Sequence, residues 1–156
     1  MSEIIVQARD LAFQYPNSDQ PLLFNAIEIK KGEHTLLLGD SGTGKTTLLH
    51  LLSGLSKPSS GTVLINEQDI YQYTPTQLDT FRGQHIGFIF QEAHLLKNLT
   101  IEENIRLAQN LAKKKEDKSL VLDLLEKLQL TDKAQHYPEQ LSRGQLQRAA
   151  IARAVI

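Results

Sequence analysis

No cysteine and no tryptophan occur in these 156 residues, and methionine occurs once. The first absence excludes disulfides and thiolate metal sites, so burial and hydrogen bonding must hold the fold. No run approaches the ~20 apolar residues that cross a bilayer as a helix, so any membrane role comes through a partner. The start, Met1-Ser2-Glu3-Ile4-Ile5-Val6-Gln7, lacks the basic flank and long apolar stretch of a signal peptide, which predicts a cytoplasmic chain. Surplus charge is missing too: 17 Lys and Arg against 18 Asp and Glu leave a formal net charge of −1, with no general drive toward nucleic acid. Lys113-Lys114-Lys115 is followed at once by Glu116 and Asp117 and reads as a solvated helix connection. The histidines, at 34, 50, 85, 94 and 136, have no ligand spacing. With 40% hydrophobic and 22% charged residues, the composition is that of a globular domain with a real core, without repeats or low-complexity tracts.

Against that background Gly39-Asp40-Ser41-Gly42-Thr43-Gly44-Lys45-Thr46 stands out, because it fits the phosphate-loop pattern G-x-x-x-x-G-K-[ST]. Each residue type has its own task. Gly39, Gly42 and Gly44 let the backbone turn tightly, so that N–H groups of Ser41, Thr43 and their neighbours point inward as a nest for phosphate oxygens. Lys45 adds a point charge, Thr46 offers a hydroxyl to a Mg²⁺ ion bridging the phosphates, and a helix starting near Gly44 aims its positive dipole end, with Thr47 in its first turn, at the anion. The context is the required one. Glu33-His34-Thr35-Leu36-Leu37-Leu38 reads as a buried strand, and the run from Thr46 to Leu52 as a helix ending near Gly54.

Elsewhere the N-terminal third reads as β-rich, with strand candidates at Ile4 to Val6, Leu11 to Tyr15 and Leu22 to Ile29. Ser56-Lys57-Pro58-Ser59-Ser60-Gly61 is a turn cluster before the strand candidate Thr62 to Ile65, and Thr74-Pro75-Thr76 opens a short helix. Ile86-Gly87-Phe88-Ile89-Phe90 reads as a buried strand ending at polar Gln91. Helical spacing then governs Ile101 to Leu111 and Leu120, Leu124, Leu125 and Leu128. Ser142, with Gln145 three residues on, fits a capping box opening a final helix through Arg148 and Arg153.

Leu141-Ser142-Arg143-Gly144-Gln145 resembles the signature motif of ATP-binding cassette (ABC) ATPases, whose usual core is Leu-Ser-Gly-Gly-Gln. Tyr15 stands where that family carries an aromatic that stacks on adenine, and Gln91 ends a strand as its Q-loop glutamine does. With the phosphate loop, all four features fall in family order along the chain. The resemblance implies an α/β fold: a P-loop NTPase core with a peripheral antiparallel β-subdomain over 1–94, a helical subdomain over 95–140, and the signature motif and its helix over 141–156. It implies ATP and Mg²⁺ as cofactors, Lys45 and Gln91 in catalysis, and Thr46 and Gln91 toward the metal. Nucleotide contacts would come from Tyr15, the loop and Thr47, and in trans from Ser142, Gly144 and Gln145. It further implies a second ABC ATPase subunit and a membrane-spanning transporter subunit as partners, with no nucleic acid, on the cytoplasmic face of the cell membrane. The stretch from Ile86 to Ile105, with His94-Leu95-Leu96 and Leu99-Thr100, is most similar to the subgroup serving lipoprotein release and macrolide efflux. Arg143 departs from the family's glycine; it either adds a phosphate-facing charge or obstructs the partner cassette.

Phosphoryl transfer also needs an acid for Mg²⁺ and a group that positions water. No Walker B aspartate, catalytic glutamate or switch histidine can be assigned. Asp69 follows Ile65 too distantly, Asp123 lies on a helix face, and Glu92 has no catalytic role in the family. By the resemblance, the missing strands belong between 33–38 and 86–90. The sheet is thus expected to be incomplete, and the chain alone poorly stable and unable to hydrolyse ATP. The alternative reading is a non-catalytic nucleotide-binding module that pairs with an intact cassette.

Overall fold

The first segment is rich in β-branched and other apolar residues at both ends, and it forms the longest strand among the described residues. In the computed structural model, which describes residues 3–156, β1 runs Ile4–Phe13 and buries Ala8 and Leu11. It is flanked by β2 (Leu22–Phe24), β3 (Ile27–Lys30) and β4 (Ser60–Ile65), and β5 (Gln68–Asp69) pairs with β4. Every pairing in this five-stranded sheet is antiparallel. The two strand candidates at 4–6 and 11–15 are therefore one strand, bent by a bulge where the β1–β4 register shifts between Arg9 and Ala12. Gly61 makes the bend possible, since a Cβ there would lie 2.5 Å from the Asp10 carbonyl oxygen.

The chain forms two compact units, one ending at Leu78 and the other Asp79–Ile156. The first holds the sheet and α1 (Lys45–Leu52), whose Leu48 and Leu51 are buried with Val63, Ile65 and Ile70 among its core residues. Helix α2 (Pro75–His85) begins in the first unit and ends in the second. The second unit is built on α3 (Ile101–Leu111), α4 (Lys118–Lys127) and α5 (Arg143–Val155). Its core joins Ile101 and Ile105 of α3, Val121 and Leu125 of α4, and Ala149 and Ala152 of α5, with Leu130, Leu141 and Ile156. The four-residue spacing within α3 and α4 places each pair on one helix face. Full burial of each Leu, Ile or Val contributes roughly 1.5–3 kcal/mol.

The caps of these helices are local. Thr100 and Glu103 form a reciprocal capping box at α3, and Asp117 accepts from the Leu120 N–H at α4. Buried Asn104 ties α3 to the preceding loop, donating to the Leu96, Leu99 and Thr100 carbonyls and accepting from the Leu96 N–H. No helix among the described residues is long and apolar enough to cross a membrane.

Two expected strands do not form. Residues 33–38 and 86–90 enter no ladder among the described residues. The first segment is exposed throughout, with Leu36 at 78% and Leu38 at 79%. An apolar run records a demand for burial, but a strand exists only by pairing with another strand, and none of the described strands pairs with these segments. All the strand pairing present is accordingly antiparallel, and the sheet is not closed.

Candidate functional site

Helix α1 begins without a side-chain cap. Its N-cap, Gly44, sits at φ 88°, a left-handed conformation that strains any residue with a Cβ, and a Cβ here would lie 3.1 Å from Leu22 and 3.4 Å from the Phe24 ring. Glycine therefore lets the loop enter the helix against β2. With no cap from a side chain, the first-turn N–H groups of Lys45, Thr46 and Thr47 all find no acceptor among the described residues. Such a helix start, with donors converging and the dipole's positive end outward, fits a phosphate group.

The loop before it is held from within. Thr43 donates its hydroxyl to the Asp40 carbonyl at 2.9 Å. The Lys45 ammonium donates to the carbonyls of Gly39 at 2.8 Å and Asp40 at 2.5 Å. A side chain that would otherwise sweep through solvent is thus fixed on the loop backbone. Lys45, Thr46, Ser41, Gly42, Gly44 and Thr47 line a cleft of about 520 Å³ within the first unit, a size suited to a small molecule. Thr46 is exposed at the helix start. Among the described residues no cluster of three or more His, Asp or Glu side chains could hold a metal ion. A divalent cation beside Thr46 would take much of its shell from phosphate oxygens and water.

Tyr15 also lines this cleft. It lies just beyond the end of β1, 48% exposed. Phe13 meets its ring edge-on, with centroids 4.9 Å apart, and its hydroxyl is 2.6 Å from the Thr47 Oγ1. The structure thus brings Tyr15 and the phosphate loop together. It adds Ser18, Gln20 and Leu22, which the sequence reading missed. The one local signal for them is the polar cluster Asn17-Ser18-Asp19-Gln20 between two strand candidates. Ser18 closes the turn by donating its N–H to the Tyr15 carbonyl and its hydroxyl to the Gln20 carbonyl.

Gln91 and the segment 141–145 belong to the second unit. Ser142 caps α5 as expected: its Oγ accepts from the Gln145 N–H at 3.3 Å, and the Gln145 side chain accepts from the Ser142 N–H at 2.8 Å. Arg143 and Gly144 are exposed in this first turn, which carries no acid. The Arg148 Nη1 lies 3.9 Å from where a Cβ on Gly144 would stand, so a larger residue at 144 would meet the guanidinium.

The Gln91 segment is fastened to the other end of α5. Arg153 donates to the Ala93 carbonyl at 3.0 Å and to the His94 carbonyl at 2.6 Å. Burial pushes the Arg153 pKa down from its ordinary value, yet a guanidinium remains charged. This clamp spans about sixty residues of sequence and had no local signal. A separate hollow of about 620 Å³ in this unit, bordered by Phe88, Phe90, Leu107 and Ile156, is mainly apolar and has none of the features of the phosphate loop.

Known proteins match both halves of this arrangement. A family model described as ABC transporter matches residues 25–156. The lipoprotein-releasing system ATP-binding protein LolD of Buchnera aphidicola is 41% identical over 133 residues, covering 84% of this chain and 58% of that relative. The macrolide export ATP-binding/permease protein MacB of Vibrio parahaemolyticus is 39% identical over 161 residues, covering all of this chain and 25% of that relative. This chain thus spans little more than half the length of the first and a quarter of the second. Among solved structures, the dimeric ATP-binding cassette MJ0796 in a post-hydrolysis state with ADP and Pi superposes with a TM-score of 0.87 at 31% identity, covering 97% of this chain and 69% of that one.

Proposed function

Because the chain belongs to the ABC transporter family, we propose that it binds ATP at the Gly39–Thr46 loop as the nucleotide-binding part of a membrane transporter. The observation that carries this reading is the uncapped start of α1, whose residues Lys45, Thr46 and Thr47 line one cleft, with the Lys45 ammonium held on the loop carbonyls. The subgroup is that of lipoprotein release and macrolide export, in keeping with the relatives' names.

In this reading Gly39, Ser41, Gly42, Thr43 and Gly44 supply the phosphate nest, Lys45 neutralises the outer phosphates, and Tyr15 stacks on the base. Thr46 and Gln91 would hold Mg²⁺, which would supply charge neutralisation across the phosphate oxygens when bound. Ser142, Gly144 and Gln145 act in trans, on nucleotide held by a second cassette. Residues 1–94 serve as the nucleotide-binding core with its antiparallel β-subdomain, 95–140 as the helical subdomain, and 141–156 as the signature segment and its helix. The work is done on the cytoplasmic face of the cell membrane.

ATPase chemistry belongs to the family, whereas residues 1–156 alone hold no acid assignable to the metal or the attacking water. The chain on its own binds ATP without turning it over. Calorimetric titration with MgATP tests the first half, and phosphate release tests the second. Saturable binding that weakens about 10- to 100-fold in Lys45→Ala supports the reading, in line with a lost charge-assisted contact. Equal binding by Lys45→Ala, or magnesium-dependent turnover abolished by it, contradicts it.

A further inference from the structure

The hydroxyl of Tyr15 has a partner that base stacking does not require. It lies 2.6 Å from the Thr47 Oγ1, a residue 32 positions away in sequence. Thr47 is only 4% exposed, so its side chain is fixed by its surroundings, whereas the Tyr15 ring stands 48% exposed past the end of β1. A half-exposed tyrosine ordinarily samples several rotamers. This one is gripped at two places, by the Phe13 ring against its side and by Thr47 at its tip. Thr47 also sits in the first turn of α1, where its N–H finds no acceptor among the described residues. One residue therefore presents a donor to the phosphate site and holds the aromatic ring at a set distance from it.

We propose that the Tyr15–Thr47 hydrogen bond is a strut that presets the aromatic platform relative to the phosphate loop, making Thr47 a positioning residue for the nucleoside half of the ligand. This rests on the reading of the loop as an ATP site and deepens it. The physical consequence is preorganisation: a ring already placed loses little freedom when a base stacks on it. The strut serves only ligands that carry a base. A bare polyphosphate, which meets the α1 start and Lys45 alone, gains nothing from it.

The test compares MgATP with inorganic tripolyphosphate by titration calorimetry across Tyr15→Phe, Thr47→Val, Thr47→Ser and the double variant Tyr15→Phe/Thr47→Val. Tyr15→Phe keeps the ring and removes the hydroxyl. It is expected to weaken ATP binding about three- to tenfold, the range of one neutral hydrogen bond, with a much smaller change for tripolyphosphate. Thr47→Val is expected to lose a similar factor and the double variant no more than either single one, because both remove the same bond. Thr47→Ser retains the hydroxyl and is expected to restore most of the affinity. Unchanged ATP affinity in Tyr15→Phe, or losses that multiply in the double variant, overturns the strut while leaving the ATP site standing. A rise in tripolyphosphate affinity in Tyr15→Phe overturns it as well, because the bond would then be closing the site. If the unaltered chain binds neither ligand, the functional reading fails and the strut with it.

Discussion

Two helices in this chain start at motifs that resemble phosphate-binding sequences, and they start differently. At α5 the donors are partly used: Ser142 takes the Gln145 N–H, and the Gln145 side chain takes the Ser142 N–H. At α1 no side chain caps the helix, because Gly44 has none to offer. A serine-capped start has one of its first-turn donors satisfied without a ligand, whereas a glycine-capped one leaves all of them to water or an anion. The same dipole therefore makes α1 a primary anion site. It leaves α5 a surface whose phosphate role depends on what is brought to it. The surroundings agree, since α1 has a fixed lysine ammonium beside it, whereas α5 carries an exposed arginine on a well-packed helical core.

The sharpest way to break this comparison is Lys45→Ala, for which calorimetry is expected to show a 10- to 100-fold loss of ATP affinity with the far-ultraviolet circular dichroism unchanged. Unaltered affinity would mean that the α1 site is not the one in use. Next in size is Gly44→Ala. The positive φ and the contacts with Leu22 and Phe24 are expected to cost about 1–3 kcal/mol in chemical denaturation of the first unit, because the new Cβ is strained and crowded. Ser142→Ala is expected to cost about 1 kcal/mol, the ordinary value of a lost cap, seen as a lower melting temperature of the second unit. A loss at Ser142 larger than that at Gly44 would reverse the order of the two starts.

The smallest expected effect is one of pH. Glu103 is held below the ordinary carboxylate range by hydrogen bonds from Thr100, first from its backbone, and Asp117 by those from Ser119 and Leu120. Both cap helices of the second unit. Their folded pKa lies below the unfolded one, so the stabilisation is fully present at neutral pH and is lost as pH falls from about 4 through the depressed folded values. Helicity followed through an acid titration should decline in that window, and Glu103→Gln should flatten the response. A response unaffected by that substitution would remove Glu103 from the account.

What could be read from the sequence was what is local. The phosphate loop, the capping boxes at Ser142 and the helices through Ile101 and Leu125 depend on neighbours within a few residues, and each stands where spacing put it. The misses are non-local. Leu36, Leu37 and Leu38 looked like a buried strand because apolar runs usually find a partner strand, yet here all three are exposed. Phe88 and Phe90 likewise lie in a segment held not by a ladder but by the Arg153 clamp just after Gln91 and by close approach of Gly87 to Ala154. Ser18 and Gln20 reached the cleft through a turn whose direction no periodicity encodes.

The central claim is that phosphate is received at the open start of α1. Backbone amide chemical shifts of the isotope-labelled chain, followed during titration with MgATP, test it directly. The account predicts that the Lys45, Thr46 and Thr47 N–H resonances shift most and saturate together, while those of Gln145 and Leu146 stay nearly still. Shifts concentrated at the start of α5, with Lys45 to Thr47 unmoved, would contradict it.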